Sequence, residues 1–252
     1  MRVVLILVDG MRPDALEGNE KVSRFMSESS WTLNARTVFP SVTLPCHMSL
    51  FHSVPPERHG ILTNTFTPMV RPVDGLFDIV HNSKKEAAIF YSWEQLRDIY
   101  RPGHIKHVLM AREKTYDVRT ENVTRATIDY IREYNADLIF TYLGWPDSSG
   151  HNYGWMSDEY MLGVEKSWES IYRILEVTDD DTCVIVTADH GGPGRSHGTD
   201  APEDMIIPAF FRGKPFSPGK ELDGVSIMDI APTAAAILGI DAPAEWEGKS
   251  LI

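Results

Sequence analysis

Cysteine is scarce in this chain, since Cys46 and Cys183 are the two thiols among 252 residues. Two thiols are too few for a disulfide framework in a chain of this length, so a reducing compartment is the simpler expectation. The chain also lacks any run that approaches the ~20 apolar residues of a membrane span. The apolar stretch at residues 3–8 is short and no small-residue cleavage site follows it, which indicates a buried strand rather than a signal peptide. We therefore expect a cytoplasmic protein that does not enter the membrane.

Positive charge is the second deficit, because 24 Lys and Arg residues face 36 Asp and Glu residues and leave a formal net charge of −12. Proteins that bind nucleic-acid polymers need a basic face, so this charge argues against that class. A small phosphorylated substrate remains compatible with it, because bound metal ions reverse the local electrostatic field. Nothing in the composition indicates an oligomeric state.

Buried apolar strands alternate with amphipathic helices along most of the chain, which predicts an α/β fold with a mainly parallel sheet. The predicted strands and extended segments are 3–8, 32–39, 87–91, 137–143, 182–188 and 206–211. The predicted helices are 13–29, 44–53, 76–82, 122–134, 157–177 and 226–238. No linker divides the chain, so we expect one catalytic domain over residues 1–252. The rhythm weakens at about 65–118, where we expect a small cap or insertion.

Acidic and imidazole side chains follow the predicted strands, at the edge where open parallel sheets place their sites. They are Asp9, Asp147, His151, Asp189, His190 and His197. Between Asp147 and His151, Pro146 and Gly150 favour a loop over a helix. Oxygen and nitrogen donors without cysteine suit Zn²⁺, with Mn²⁺ or Fe²⁺ as alternatives. Each residue by itself is more often structural, because an Asp after a strand commonly caps a helix or closes a turn.

Thr43 stands between Pro40 and Pro45, at the start of the predicted helix 44–53. A hydroxyl at this position can act as a nucleophile if a metal ion removes its proton. The charges of two divalent cations would balance those of three aspartates and a threonine alkoxide, so an acidic protein could still accept an anionic substrate. The simpler alternative is that Thr43 only caps the helix.

Seven segments in this order resemble the alkaline phosphatase superfamily, and most closely its nucleotide pyrophosphatase/phosphodiesterase branch. The segments are 8–14, 39–47, 59–64, 142–151, 187–192, 196–198 and 229–233. Residues 65–135 show no such resemblance. The resemblance implies a three-layer sandwich, in which helices cover both faces of the sheet. It further implies a metal-dependent hydrolase that cleaves phosphodiester or pyrophosphate bonds of a small substrate through a phospho-threonine intermediate.

The resemblance also implies roles for individual residues around a pair of zinc ions. One ion would be held by Asp147, His151 and His197, and the other by Asp9, Asp189, His190 and Thr43. Asn64 matches an asparagine that, with the backbone amide of the nucleophile, holds a phosphoryl oxygen in the family. Other members of the same scaffold hydrolyse phosphonates or phosphomonoesters, and a non-catalytic metal-binding protein is the alternative from another class.

Two positions depart from the family pattern near the nucleophile. Cys46 stands where the family usually has asparagine, and Leu44 stands where a phenylalanine often stacks on a nucleotide base. Leu44 is a candidate for substrate contact, and so is Tyr142, which lies in the matching segment 142–151. Trp145 could form a stacking wall or be a packed aromatic side chain. Arg195 could contact a phosphate or be an exposed loop residue.

Overall fold

One central sheet of seven strands organises the computed structural model, which describes residues 1–134 and 136–252. The strands are β1 (Arg2–Val8), β2 (Ser30–Arg36), β3 (Ala87–Tyr91), β4 (His107–Met110), β5 (Leu138–Leu143), β6 (Thr182–Thr187) and β7 (Ile206–Arg212). Their order across the sheet is β2-β7-β6-β1-β5-β3-β4. The five strands from β6 to β4 are parallel, whereas β7 runs antiparallel to both β6 and β2. The prediction of a mainly parallel sheet is confirmed.

Helices cover both faces of this sheet, which confirms the predicted three-layer sandwich. The helices are α1 (Glu20–Ser27), α2 (Thr43–His52), α3 (Pro56–His59), α4 (Leu76–Asn82), α5 (Tyr116–Glu133), α6 (Trp145–Tyr153), α7 (Asp158–Leu175), α8 (Pro202–Met205) and α9 (Ile230–Leu238). Helices α2, α4 and α9 contact one another, and α5, α6 and α7 form a second group. Buried apolar side chains of β1, β5 and β6 fill the space between the layers. No described helix is both long enough and apolar enough to cross a membrane.

The helix expected at 13–29 is two shorter elements. A 3₁₀ turn covers Asp14–Leu16, and α1 starts only after Gly18, which has a positive φ of 72° that suits glycine. The side chain of Asn19 then caps α1, because it accepts hydrogen bonds from the first-turn N–H groups. The segment expected at 226–238 divides similarly into a 3₁₀ turn (Ile227–Asp229) and α9.

The loop expected between Asp147 and His151 is wrong, because both residues lie on α6. Pro146 occupies the first turn of this helix, where its missing N–H costs no hydrogen bond. Gly150 is required inside the helix by packing, since a Cβ there would lie 2.6 Å from the ring of Trp155. Proline and glycine therefore mark a helix start and a close contact rather than a loop.

The segment around 65–118 contributes α4, β3 and β4, and both strands belong to the central sheet. The prediction of one catalytic domain with a cap at this segment stays a prediction. Helix α5 begins at Tyr116, six residues before the expected start at 122. Its first turns carry polar and charged residues instead of an apolar stripe, so the sequence pattern did not show where the helix starts.

Candidate active site

The carboxyl ends of β1, β5 and β6 bring three aspartates together. β1 lies between the other two strands, so Asp9 follows the central strand while Asp147 and Asp189 follow its two neighbours. The Asp147 backbone N–H donates to the Asp9 carbonyl oxygen at 3.1 Å. The Gly10 N–H donates to Asp189 Oδ1, also at 3.1 Å. Backbone hydrogen bonds across the three strand ends therefore fix the carboxylates relative to one another.

Three histidines point a free ring nitrogen into the same region. Their Nδ1 atoms lie 3.0, 2.8 and 2.8 Å from the carbonyl oxygens of Arg195, Gly191 and Ser41, for His151, His190 and His197 respectively. A carbonyl oxygen only accepts, so each Nδ1 carries a proton, and a neutral ring then offers Nε2 as its acceptor. Histidine ligands of metals are oriented in this way, with the second ring N–H donated to a backbone carbonyl.

The ligand-type atoms form two adjacent groups. In the first, Asp147 Oδ1 lies 3.4 Å from His151 Nε2 and 3.6 Å from His197 Nε2. In the second, His190 Nε2 lies 3.3 Å from Asp9 Oδ1, and Asp147 lies within 4.8 Å of both. Asp189 falls outside both groups, although its Oδ2 lies 3.5 Å from His190 Nε2. Asp147 therefore lies between two places where a cation could bind.

The hydrogen bonding of the three aspartates fits divalent cations. Asp9 Oδ1, Asp147 Oδ1 and Asp189 Oδ2 are buried and lack a hydrogen-bond partner among the described residues. Buried carboxylate oxygens are costly unless they are paired or coordinate a metal. Burial, together with repulsion between the neighbouring carboxylates, raises the pKa of Asp9 well above its usual range and that of Asp189 to about 8. A pair of cations would remove this strain by neutralising the carboxylates.

Thr43 is the first residue of α2, and its Oγ1 lies 3.2 Å from His190 Nε2. The capping position belongs to Val42, so the alternative that Thr43 caps the helix is wrong. His47 lies one turn further along α2 and donates from Nδ1 to the Thr43 carbonyl oxygen at 2.8 Å. Asn64 Oδ1 accepts the backbone N–H of Leu44 at 2.9 Å. The hydroxyl of Thr43 is therefore placed beside the second group of ligand atoms.

A cleft of about 160 Å³ opens above these residues. Its lining includes Asp9, Thr43, Asn64, Tyr142, Trp145, Asp147, His151 and His197. The structure thus brings the predicted nucleophile and Asn64 to one cavity with residues of both ligand groups.

Two of the predicted substrate contacts, Leu44 and Arg195, are corrected by the structure. Leu44 is fully buried, so its side chain cannot contact a substrate. Tyr142 lines the cleft and its hydroxyl donates to Asp9 Oδ2, so its contact with a substrate stays a prediction. Arg195 is exposed and does not line the cleft, although its carbonyl orients His151. Trp145 does line the cleft, as one of its aromatic walls.

Trp155 is a site residue that sequence reasoning missed. Its ring lies edge-on to His151 and His197, with centroid distances of 5.2 and 5.9 Å, and its Nε1 donates to the Gly10 carbonyl at 2.9 Å. A Cβ on Gly192 would lie 2.6 Å from this ring, so the indole packs against the loop that carries the histidines. Glycines flanking a histidine pair are the signal that could have indicated a bulky neighbour.

A second set of missed residues comes from the segment that resembled no family motif. They are Ser92, Trp93, Tyr116, Arg119 and Thr120, and all line the cleft. Ser92 and Trp93 follow β3, and the other three lie on the first turns of α5. None of them forms a recognisable pattern in the sequence, so only the fold shows that they reach the site.

Comparison with known proteins places the chain in a family. A model of the metalloenzyme superfamily matches residues 104–242, which is more than half of the chain. The chain belongs to this superfamily. A model described as type I phosphodiesterase / nucleotide pyrophosphatase matches residues 3–98. The two matches confirm the resemblance to the alkaline phosphatase superfamily and its nucleotide pyrophosphatase/phosphodiesterase branch. They also cover most of the segment 65–135, so the expectation that this segment goes unmatched is wrong.

Two relatives with sequence similarity to this chain are named as nucleotide phosphoesterases. The chain is 27% identical to bis(5′-adenosyl)-triphosphatase ENPP4 of Bos taurus over 94% of the chain and 54% of that protein. It is 27% identical to ectonucleotide pyrophosphatase/phosphodiesterase family member 1 of Rattus norvegicus, covering 75% of the chain and 24% of that protein. The chain therefore spans between about a quarter and half of the length of these relatives.

A solved structure, human ectonucleotide pyrophosphatase / phosphodiesterase 5, superposes with a TM-score of 0.83 at 15% identity. The superposition covers 99% of this chain and 97% of that one. At this level of identity the likeness shows the shared fold.

Proposed function

We propose that this protein is a two-zinc hydrolase that cleaves phosphodiester or pyrophosphate bonds in small phosphorylated substrates, with Thr43 as the nucleophile. The observation that carries the proposal is the Thr43 hydroxyl at 3.2 Å from His190 Nε2, beside three carboxylates that each have one buried oxygen without a partner among the described residues. A structural cluster would leave neither a hydroxyl in a cleft nor three carboxylate oxygens without partners. Nitrogen and oxygen donors without sulfur favour zinc, with manganese or iron as alternatives.

The resemblance to the family divides the donors between two cations. Asp147, His151 and His197 would hold one cation, and Asp9, Asp189, His190 and Thr43 would hold the other. When bound, the cations lower the pKa of the Thr43 hydroxyl and stabilise negative charge on the leaving oxygen. Asp147 has an oxygen within 4.8 Å of the ligand atoms of both groups, so it would contribute negative charge to both positions.

The residues of the chain then carry out the reaction around the bound phosphoryl group. Thr43 Oγ1 attacks phosphorus in line, forming a phospho-threonine bond while the bond to the leaving oxygen breaks. The N–H of Thr43 has no partner among the described residues, and it points from the start of α2, where an anion is favoured. This N–H and the Asn64 amide hold a phosphoryl oxygen. Water then displaces Thr43 and releases the phosphorylated product.

The substrate class follows from the acidic chain and the small cleft. A net charge of −12 opposes binding to a nucleic-acid polymer, whereas a small phosphorylated molecule can enter a cleft of about 160 Å³. The name of the bovine relative refers to a nucleotide triphosphate bridge, which supports a pyrophosphate bond as the target. The two cysteines are free and buried, which supports the cytoplasmic expectation that we retain in the proposal.

Hydrolysis of bis(p-nitrophenyl) phosphate, p-nitrophenyl phosphate and p-nitrophenyl sulfate, each with and without a chelator, tests the proposal. We expect chelator-sensitive release of p-nitrophenol, fastest from the diester and restored by added zinc. Absence of chelator-sensitive turnover with every substrate would contradict the proposal and favour a metal-binding protein without activity. Faster turnover of the monoester would favour a phosphomonoesterase on the same scaffold.

A further inference from the structure

The first turn of α5 forms one wall of the active-site cleft. Tyr116, Arg119 and Thr120 are spaced so that they lie on one face of this helix, and all three line the cleft that also contains Thr43. The proposed reaction uses none of them. This wall is therefore available to contact a part of the substrate other than the phosphoryl group that Thr43 attacks.

Contacts on two sides hold the Arg119 guanidinium in place. Its Nε donates to the Glu113 carbonyl oxygen, and its Cζ lies 5.8 Å from the centre of the Tyr116 ring. The Tyr116 hydroxyl accepts from Asn152 Nδ2 at 2.8 Å, and Asn152 lies on α6 beside the histidine of the first ligand group. The helix that carries metal-ligand candidates is thereby connected to the position of Arg119.

The charge of Arg119 has no counterpart in the part of the chain that the structure describes. The ion pairs of the described arginines do not include Arg119, and its terminal nitrogens donate no hydrogen bond to a described protein acceptor. Among the described residues that line the cleft it is the one Lys or Arg. Asp9 and Asp147, the carboxylates of the cleft, are balanced by the cations of the proposed mechanism. Arg119 is therefore a free, oriented, half-buried cation beside the reaction centre.

We propose that Arg119 binds a second anionic group of the substrate, a phosphate or a carboxylate, that is separate from the phosphoryl group under attack. The inference rests on the proposed function, because it takes Thr43 and the metal-ligand candidates as the reaction centre. A planar guanidinium with two free terminal nitrogens matches the paired oxygens of such a group. The enzyme then prefers phosphoric esters or anhydrides that carry a further anionic group over diesters with neutral substituents.

Inhibition of bis(p-nitrophenyl) phosphate hydrolysis tests this selectivity with matched pairs of compounds. Methylphosphonate and phosphonoacetate differ by a carboxylate, and inorganic phosphate and pyrophosphate differ by a second phosphate group. For Arg119→Ala, at constant free zinc, we expect the inhibition constants of phosphonoacetate, pyrophosphate or both to rise about 10- to 100-fold, as loss of a charge-assisted hydrogen bond predicts. The constants of the two single-anion compounds should change less than about threefold, because they lack the group that Arg119 binds.

Two further variants protect the test against trivial outcomes. Arg125→Ala removes the same charge from an exposed position on the same helix, so it should leave all four inhibition constants unchanged. Arg119→Lys keeps the charge without the planar fork and should give intermediate constants, and it serves as the test if Arg119→Ala does not fold. A rise for phosphonoacetate alone identifies a carboxylate subsite, and a rise for pyrophosphate alone identifies a phosphate subsite.

The outcomes separate this inference from the proposed function. If wild-type protein hydrolyses the diester in a chelator-sensitive way but Arg119→Ala changes all four inhibition constants equally, or changes none, the subsite is refuted and the proposed function stands. If wild-type protein shows no chelator-sensitive turnover, the proposed function itself is contradicted and the inference falls with it.

Discussion

Single atoms decide the chemistry of this site more than residue types do. The three histidines differ in sequence context, yet each donates Nδ1–H to a carbonyl oxygen and places Nε2 within 3.6 Å of a carboxylate oxygen. Burial lowers the pKa of His197 to about 3, so its ring is neutral at neutral pH. A metal ion therefore does not have to displace a proton from it. The aspartates complement this arrangement with unpartnered oxygens. Donor atoms are therefore arranged before any cation binds, which reduces the reorganisation that binding requires.

Replacing the nucleophile provides the prediction at this scale. Thr43→Ala should reduce turnover of bis(p-nitrophenyl) phosphate on the order of 10³-fold or more, as loss of a nucleophile does in other hydrolases. Alanine favours a helix and the aspartates and histidines remain, so α2 and most of the bound zinc should be retained. Steady-state kinetics and metal analysis of the purified variant measure the two effects.

Thr43→Ser is the matched control, because it keeps the hydroxyl and removes a methyl group. It should retain a substantial fraction of the activity. Activity that survives in the alanine variant would show that another group attacks phosphorus.

Helix α6 shows how an element converts sequence spacing into a site. Asp147 and His151 are four residues apart, so a helix places both on one face. Trp155 follows the helix and fills the space above Gly150, and the same ring contacts the histidines of both α6 and the loop after β6. The helix, the indole and the loop therefore form one packed unit.

Gly150→Ala tests this packing. Alanine is about 1 kcal/mol better than glycine in a helix, but overpacking typically costs about 1–3 kcal/mol. With a Cβ at 2.6 Å from Trp155 we expect net destabilisation and weaker zinc binding, measured by urea unfolding and metal titration. In a Trp155→Leu background the same change should cost less, since the clash is gone. Equal costs in both backgrounds would argue against the contact.

The whole molecule supplies the arrangement in which three parallel strands end side by side. The order β6-β1-β5 places Asp189, Asp9 and Asp147 at one edge of the sheet. Because the sheet brings the buried Asp9 and Asp189 next to the partly buried Asp147, the repulsion between these carboxylates depends on the sheet and on no local segment. Stability and metal binding are therefore coupled through pH.

The sign of this coupling follows from the raised pKa values. Burial and neighbouring carboxylates raise the pKa of Asp147 to about 7 and that of Asp189 to about 8, against about 4 in an unfolded chain. Between pH 4 and 8 the metal-free native state binds more protons than the unfolded state, so these groups make it less stable as pH rises. Zinc must displace the same protons, so its affinity increases over this range.

We therefore expect zinc to raise Tm more at pH 8 than at pH 6, measured by calorimetry at equal free zinc. Asp189→Asn should weaken zinc binding and reduce the difference between the two pH values, because it removes the group with a pKa of about 8. A zinc-induced Tm shift that is equal at both pH values, or larger at pH 6, would contradict the assignment of these carboxylates.

Sequence patterns predicted the elements that local physics controls. Continuous apolar runs indicated β1, β5 and β6, and Ser157 correctly indicated the start of α7, where its side chain accepts the Tyr160 N–H. Pro146 and Gly150 misled the prediction for α6, because proline is tolerated in a first turn and Gly150 is explained by a distant contact. Helix propensity describes a residue in isolation, whereas the close contact between Gly150 and Trp155 depends on both residues.

By itself the sequence determined the α/β class, the sheet direction and the acidic and imidazole residues at strand ends, because hydrophobic periodicity and strand-end chemistry are local. Only the tertiary structure decided that Leu44 is buried, that Tyr142 binds Asp9 and that Arg119 reaches the cleft. These facts depend on which faces of distant elements meet. Long-range packing selects among faces that are equivalent in a local pattern, and so the wall that α5 contributes to the cleft became visible only in the fold.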